Sequence, residues 1–171
     1  MRLIERGGEY CRVADPGWVD PLDRVYSRER GGRWNPPGSF GVVYLNSSIP
    51  LARAQMRAKL GRRGIEPEDL LSASAPVLID VRVPSGEYVD VVTAGGIRAL
   101  ALPASYPRDA AGHFVSHADC QPIGVRARRD GHPGIACRPA VDKAPPGSEE
   151  LAYFGRRRLS LLKRRRFEDW Y

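Results

Sequence analysis

The stretch from Gly31 to Gly38, which reads Gly-Gly-Arg-Trp-Asn-Pro-Pro-Gly, limits the fold more than any other part of the sequence. Glycine costs backbone entropy and proline has no N–H to donate, so both weaken helices and central strands. The stretch is therefore predicted to be a loop, stiffened by its two prolines. A stiff loop that presents a guanidinium, an indole face and a carboxamide is suited to holding a ligand. The alternative is a tight turn in which Trp34 covers the core.

Hydrophobic patterning on either side of this loop predicts a mixture of strands and helices. Residues 84–86 (Pro-Ser-Gly) are expected to separate two strands of a hairpin, and the Asn-Ser-Ser sequence at 46–48 is expected to cap a helix. Residues 97–102 and the C-terminal segment fit either a helix or a strand. The predicted strands are 9–14, 40–45, 77–83, 88–92, 135–137 and 151–154, and the predicted helices are 50–60, 64–71 and 117–130.

Length and charge limit the classes of protein to which the chain can belong. Its 171 residues are expected to form a single domain over 1–171, with a basic C-terminal segment from about residue 155. The formal charge of +7 favours an anionic partner, which could be nucleic acid, an acidic protein or a phosphorylated small molecule. No apolar run approaches membrane-spanning length and the N-terminus is unlike a signal peptide, so a cytoplasmic protein with reduced cysteines is expected.

The sequence resembles the RES domain family. The resemblance is carried by Gly-Gly-Arg-Trp-Asn at 31–35, a strand ending in Tyr44, the helix after it, and Gly-Ile-Ala-Cys-Arg-Pro-Ala at 134–140. It implies an α+β fold similar to that of ADP-ribosyltransferases, with mixed and antiparallel sheets and flanking helices. It also implies a toxin of a bacterial toxin–antitoxin pair, which degrades NAD by hydrolysis or phosphorolysis and is neutralised by an Xre-like antitoxin.

The family is named for an arginine, a glutamate and a serine, and only the first is retained. Arg33 matches the arginine, whose planar fork would clamp the pyrophosphate of a dinucleotide. Tyr44 matches a pocket tyrosine, which is expected to pack against the nicotinamide or its ribose. Gln55 stands where the family's helix presents the glutamate, and Pro139 stands at the serine position. A carboxamide keeps hydrogen bonds but supplies neither negative charge nor a useful base.

These matches predict a cleft between the loop, Tyr44 and the helix that carries Gln55, with NAD as substrate or ligand and no metal or further cofactor. Glu66 and Glu68 are candidates to replace the missing carboxylate. The residues expected to be catalytic are Arg33, Tyr44 and Gln55, and those expected to bind substrate are Gly32, Arg33, Trp34, Asn35, Tyr44 and Arg138.

Several alternatives remain at this stage. The Gln55 and Pro139 replacements leave open whether the chain is an active NAD glycohydrolase or phosphorylase, or a catalytically degenerate NAD-binding homologue. The basic C-terminal segment, with Trp170 and Tyr171 for stacking, is also compatible with a nucleic-acid-binding protein. A zinc site is the least favoured alternative, with His113, His117 and Cys120 as ligands. The chain is expected to form a homo-oligomer or a complex with its antitoxin.

Overall fold

The computed structural model describes residues 1–70 and 73–171. Most of the predicted strands and helices are formed, although several bounds differ. The predicted helix 64–71 is reduced to a single 3-10 turn at Pro67–Asp69, and its last residue lies outside the described part. The elements are β1 (Leu3–Ala14), α1 (Val25–Arg30), β2 (Val43–Asn46), α2 (Ile49–Gly61), β3 (Val77–Val91), α3 (Ala94–Ala99), α4 (His117–Arg129), β4 (Gly134–Cys137), β5 (Glu150–Tyr153), β6 (Ser160–Arg165) and α5 (Phe167–Trp170).

All six described strands belong to one sheet, in the order β1-β2-β5-β4-β3-β6. Because β1 also pairs with β3, the first five strands of this order close into a ring, and β6 is attached outside it. The β3–β4 pair is parallel and the other pairs are antiparallel. The predicted α+β class with a mixed sheet and flanking helices is confirmed, and the chain forms one compact domain.

The predicted hairpin at residues 84–86 is wrong, because β3 runs without a break from Val77 to Val91. Its partner β1 has 12 residues against the 15 of β3 and pairs with both halves of β3, and the register shifts between Arg6 and Gly8. Proline cannot donate to a ladder, and this bulge brings Gly7 opposite Pro84 and Ser85. A Cβ on Gly7 would lie 2.6 Å from the Ser85 Cα atom, so glycine is needed where the two backbones approach.

Helix α2 forms for the local reasons that the sequence predicted. The Ser48 side chain caps it by accepting a hydrogen bond of 3.3 Å from the Leu51 N–H, and a proline occupies the first turn. Ala52, Met56 and Leu60 are buried on one face, which packs against the core. The opposite positions, including Gln55, are left partly exposed along one side of the sheet.

The C-terminal segment is part of the fold rather than a free basic tail. Strand β6 pairs with β3, and Arg165 makes a bidentate ion pair with Asp80 at 2.6 and 3.0 Å. Trp170 is only 1% exposed and packs against Phe167 and Tyr171. The prediction that Trp170 is available to stack on nucleic-acid bases is therefore wrong. Among the described residues, no helix is long and apolar enough to cross a bilayer.

Candidate active site

The loop from Gly31 to Gly38 is held rigid by the side chain of Asn35. Its Nδ2 donates hydrogen bonds to the carbonyls of Ser27 at 2.6 Å and Phe40 at 2.9 Å, and its Oδ1 accepts one from the Tyr44 hydroxyl at 2.9 Å. Asn35 is fully buried, so these bonds replace those that water would otherwise make. Asn35 therefore supports the loop, and its side chain does not line the cavity described below, where the sequence predicted a substrate contact.

Trp34 points into the core, away from any ligand. It is 0% exposed and packs against Tyr106, with ring centroids 6.3 Å apart. Helix α4 crosses its backbone so closely that a Cβ on Gly124 would overlap the Trp34 carbonyl oxygen. The alternative interpretation, in which Trp34 covers the core, agrees with this placement, and the predicted substrate contact of Trp34 does not.

A cavity of about 530 Å³ opens between the loop, β2, α2 and β5. It falls within the size range of small-molecule sites. Four of the predicted site residues meet there, namely Gly32, Arg33, Tyr44 and Gln55. The other residues that matter for its chemistry are Arg12, Trp18, Tyr26, Asn46, Lys59, Arg62, His117 and Glu150.

Arg33 is the loop residue whose side chain reaches the cavity. Its Nη1 donates a hydrogen bond of 2.9 Å to the carbonyl of Val115, just before α4, and lies 3.9 Å from the Cys120 sulfur. This anchor fixes the plane of the guanidinium. Its Nε and Nη2 make no hydrogen bond within the part of the chain that the structure describes, so they remain available to an anionic ligand.

Tyr44 supports the loop from below and presents its ring to the cavity. Its hydroxyl donates to Asn35 and accepts a hydrogen bond of 3.0 Å from the Trp34 N–H. Burial raises the pKa of this phenol, so it stays protonated. A Cβ on Gly32 would overlap the Tyr44 hydroxyl, which explains why glycine is required there. The hydroxyl is therefore committed to the loop, and its ring is what a ligand can contact.

Glu150 also lines the cavity, and sequence reasoning missed it. Opposite residues of an antiparallel pair share a face, and β2 and β5 pair Tyr44 with Ala152 and Asn46 with Glu150. Glu150 therefore lies on the same face as Tyr44. It is the only carboxylate among the described residues that line the cavity. The two glutamates at 149–150, directly before a predicted strand, were a possible signal. Which of them faces the cavity depends on how β5 pairs with β2, and the sequence alone does not show that pairing.

The carboxylate of Glu150 is held by Gln55, whose Nε2 donates a hydrogen bond to Oε1 of Glu150. Burial raises the pKa of Glu150 to about 7, although Arg33, Gln55 and the backbone of Ala140 act in the opposite direction. Burial dominates because a charged carboxylate loses more solvation in this enclosed position than these neighbours return. Near neutral pH, Glu150 can thus both hold and release a proton.

The mouth of the cavity is cationic. Gln55, Lys59 and Arg62 follow one another at i, i+4 and i+7 along α2 and face the same side. Lys59 and Arg62 are exposed, whereas Gln55 is half-buried. The α2 side of the site therefore changes from a neutral carboxamide inside to two positive charges outside, which favours a ligand with anionic groups near the entrance.

The opposite side of the mouth is aromatic. The Arg12 guanidinium lies 5.3 Å from the Trp18 ring centroid, and the Trp18 and Tyr26 rings are 6.4 Å apart. Burial lowers the pKa of Arg12 to about 10, so it stays charged at neutral pH. Tyr26 is 63% exposed, so its ring is accessible to a flat ligand group.

Arg138 and Pro139 lie away from this cavity. Arg138 donates hydrogen bonds to the carbonyls of Val92 at 2.8 Å and Tyr106 at 3.0 Å, which ties β4 to the segment after α3. Both residues line a separate cleft near residues 141–149. The predicted substrate contact of Arg138 therefore does not agree with its position, and the proline at the family's serine position is outside the cavity.

The other candidate ligands also fail to gather at the site. The described residues contain no group of three His, Cys, Asp or Glu side chains that could hold a metal ion, so His113, His117 and Cys120 do not form the alternative zinc site. His117 instead lies at the cavity rim, where burial and then Arg33 lower its pKa. Glu66 and Glu68 lie at the 3-10 turn and do not line the cavity.

The contact between α4 and the loop predicts a steric requirement at Gly124. We expect Gly124→Ala to lower the free energy of unfolding by about 3 kcal/mol or more, because the new methyl group would meet backbone rather than a flexible side chain. Gly61→Ala is the matched control, since nothing lies within 4 Å of its Cβ position in α2. It should leave stability unchanged or raise it by up to about 1 kcal/mol. Urea denaturation of both variants checks this, and equal effects would contradict it.

The raised pKa of Glu150 predicts a stability change that depends on pH. The folded state binds the Glu150 proton more tightly than the unfolded state does. The contribution of this proton to the free energy of unfolding is therefore fully present below the ordinary pKa of 4.5, and it is lost as pH rises through about 7. Above that pH, Glu150→Gln should raise the free energy of unfolding by up to about 3 kcal/mol, and at pH 4 by almost nothing. Thermal denaturation at both pH values measures this, with the exposed Glu29→Gln as control. An equal effect at both pH values would contradict it.

Comparison with known proteins agrees with the fold. The sequence matches the family model of the RES domain over residues 9–165. A chain in the crystal structure of the M. tuberculosis MbcT–MbcA toxin–antitoxin complex is similar, with a TM-score of 0.76 and 20% sequence identity over 98% of this chain and 91% of that one. No curated protein matched the sequence. Since the family match covers most of the chain, this protein belongs to the RES domain family.

Proposed function

We propose that this RES domain protein consumes NAD by cleaving its nicotinamide–ribose bond, and that it is the toxin of a toxin–antitoxin pair. The observation that carries the proposal is the convergence of Arg33, Tyr44 and Gln55 on one cavity with a cationic mouth. The family resemblance implies that these three positions contact NAD. The similar fold of a chain in the MbcT–MbcA toxin–antitoxin complex supports the toxin part.

The cavity offers a suitable environment for each part of NAD. The pyrophosphate carries two negative charges, which the free nitrogens of Arg33 and the exposed Lys59 and Arg62 would bind. The adenine would lie against the accessible ring of Tyr26 at the mouth. The nicotinamide ribose would then reach the interior, where the Tyr44 ring and Gln55 line the wall.

The reaction follows from where charge develops. As the bond between the ribose C1′ and the nicotinamide nitrogen breaks, its electron pair leaves with nicotinamide and positive charge appears on the ribose ring. Water then forms the new C1′–O bond, which gives ADP-ribose and a proton, whereas inorganic phosphate would take the ADP-ribosyl group in phosphorolysis. Negative charge near C1′ stabilises this transition state, and the Arg33 clamp limits movement of the substrate.

A protein partner is part of the proposal. The MbcT–MbcA structure is described as a toxin–antitoxin complex, and we propose that this chain likewise binds an antitoxin, which the family resemblance expects to be Xre-like. The formal charge of +7 favours a partner with an acidic surface. An antitoxin that covered the cationic mouth between Lys59, Arg62 and Tyr26 would block entry of NAD.

A second candidate is a homologue that binds NAD without cleaving it. Two observations favour it. Gln55 is a carboxamide where the family has a carboxylate, and the Tyr44 hydroxyl is fully engaged by Asn35 and Trp34. Such a protein would keep the Arg33 clamp and show NAD affinity without turnover.

Incubation of the purified protein with NAD, with and without phosphate, tests the proposal by the release of nicotinamide on chromatography. We expect release by the natural protein and a loss of about 10²-fold or more in kcat/KM for Arg33→Ala, because the phosphate clamp and its fixed charge are removed together. The exposed Arg28→Ala, on α1 beside the loop, is the matched control and should behave as the natural protein.

Binding measured by calorimetry separates the two candidates. NAD affinity that depends on Arg33, without nicotinamide release at high protein concentration, would favour the binding homologue. The absence of both release and affinity would contradict both candidates.

A further inference from the structure

We propose that Glu150 is the catalytic carboxylate of this cavity and that Gln55 is its positioning residue. The inference rests on the proposed cleavage of NAD and adds to it the group that stabilises the ribosyl cation and accepts the proton of the attacking water. The resemblance to the family placed such a carboxylate at position 55, on α2. In this chain the carboxylate is on β5 instead.

The position of Glu150 follows from strand pairing. It begins β5 opposite Asn46, on the same face of the β2–β5 pair as Tyr44, and this face forms the cavity wall. It is also the only acidic side chain of that wall among the residues described. A reaction in this cavity that needs negative charge near the substrate therefore has one group that can supply it.

The neighbouring glutamate shows what a structural carboxylate in this region looks like. Glu149 points to the other side and is held by Arg6 through two hydrogen bonds of 2.7 Å each. Glu150 has no such cation within 4.0 Å in the described part of the chain. An enclosed carboxylate without an ion-pair partner is costly to a fold and is characteristic of groups kept for binding or catalysis.

Gln55 fits this role better than a glutamate would. Its Nε2 donates to Oε1 of Glu150, which fixes the position of the carboxylate in the cavity wall. A glutamate at position 55 beside Glu150 would bring two carboxylates into contact, and one of them would have to hold a proton. A carboxamide at position 55 can donate a hydrogen bond to a carboxylate at position 150 without repulsion. The negative charge of the pair is then carried by residue 150 alone.

The chemical step is balanced with water as the only co-reactant. The C1′–N bond breaks with its electron pair going to nicotinamide, a water oxygen forms the C1′–O bond, and one water proton passes to Glu150. The products are ADP-ribose, nicotinamide and the protonated carboxyl, which releases its proton to solvent. The groups that act on Glu150 or are acted on by it are Arg33 from the loop, Tyr44 from β2, Gln55 from α2, Tyr106 from the segment after α3 and Cys137 from β4.

Of these groups, Arg33 stays charged, and burial raises the pKa values of Tyr44, Tyr106 and Cys137, so none of these three ionises near neutral pH. Burial and then Arg33 lower the pKa of His117, at the cavity rim, below its ordinary value of 6.5. Glu150, with a pKa of about 7, is therefore the group of the cavity wall that titrates near neutral pH. The rate should therefore fall as pH decreases below about 7, with a slope of one proton.

The test compares the natural protein with Glu150→Gln, Gln55→Glu and the exchanged pair Gln55→Glu/Glu150→Gln. We expect Glu150→Gln to lower kcat for nicotinamide release by about 10²- to 10⁴-fold, with a much smaller change in KM, and to abolish the fall in rate at low pH. The exchanged pair should recover at least tenfold over Glu150→Gln, because a carboxylate returns to the same hydrogen bond. Exposed Glu68→Gln is the control and should leave kcat unchanged.

Each outcome decides a separate point. A Glu150→Gln variant that is folded by circular dichroism and keeps its kcat would overturn the role of Glu150 while leaving NAD cleavage intact. An unchanged pH profile in that variant would do the same. If the natural protein released no nicotinamide, the proposed function itself would fail, and this inference with it.

Discussion

The hydrogen bond from the Tyr44 hydroxyl to the Asn35 carboxamide is the interaction on which the candidate site depends. It joins the middle of the glycine- and proline-rich loop to the centre of β2, and the same hydroxyl accepts the Trp34 N–H. Two backbone carbonyls on either side of the loop complete the contacts of Asn35. The buried carboxamide of Asn35 is thus satisfied within the fold, and Arg33 is the loop residue whose side chain is directed to the cavity.

The loop that Asn35 and Tyr44 hold against β2 is also in contact with α4 on its other side. Gln121 of α4 donates a hydrogen bond of 3.0 Å to the Gly32 carbonyl, and Gly124 allows the same helix to approach Trp34. Arg33 is anchored on the segment just before α4 by Val115. The loop therefore lies between β2 and α4 as a packed layer, and its rigidity comes from both neighbours as much as from its own prolines.

The sequence was most informative where the cause of structure is local. Loop residues, the Ser48 cap and the apolar face of α2 follow from signals within a few residues, and each was predicted. The continuous β3 was not, because it depends on a bulge at Pro84 and Ser85 that Gly7 accommodates from β1, a strand distant in the sequence. The separate roles of the residues in Gly-Gly-Arg-Trp-Asn were not predicted either. Contacts with Tyr44 and α4 decide which of these side chains is buried in the core and which one reaches the cavity. Glu150 required the register of β2 against β5, which a local pattern does not contain.

The opposite charges of Arg33 and Glu150 in the cavity are the reason for proposing NAD rather than a simple anion as its ligand. Arg33 and Glu150 make no ion pair within 4.0 Å, yet the charge of Arg33 lowers the pKa of Glu150, so they face the same space from separate walls. An ordinary phosphate ligand would meet attraction from Arg33 and repulsion from Glu150. NAD carries negative charge on its pyrophosphate and positive charge on its nicotinamide ring, and the ribose between them becomes cationic as the bond breaks. A cavity with a guanidinium on one wall and a carboxylate without an ion-pair partner on another would be complementary to the proposed dipolar substrate, and more so to its transition state.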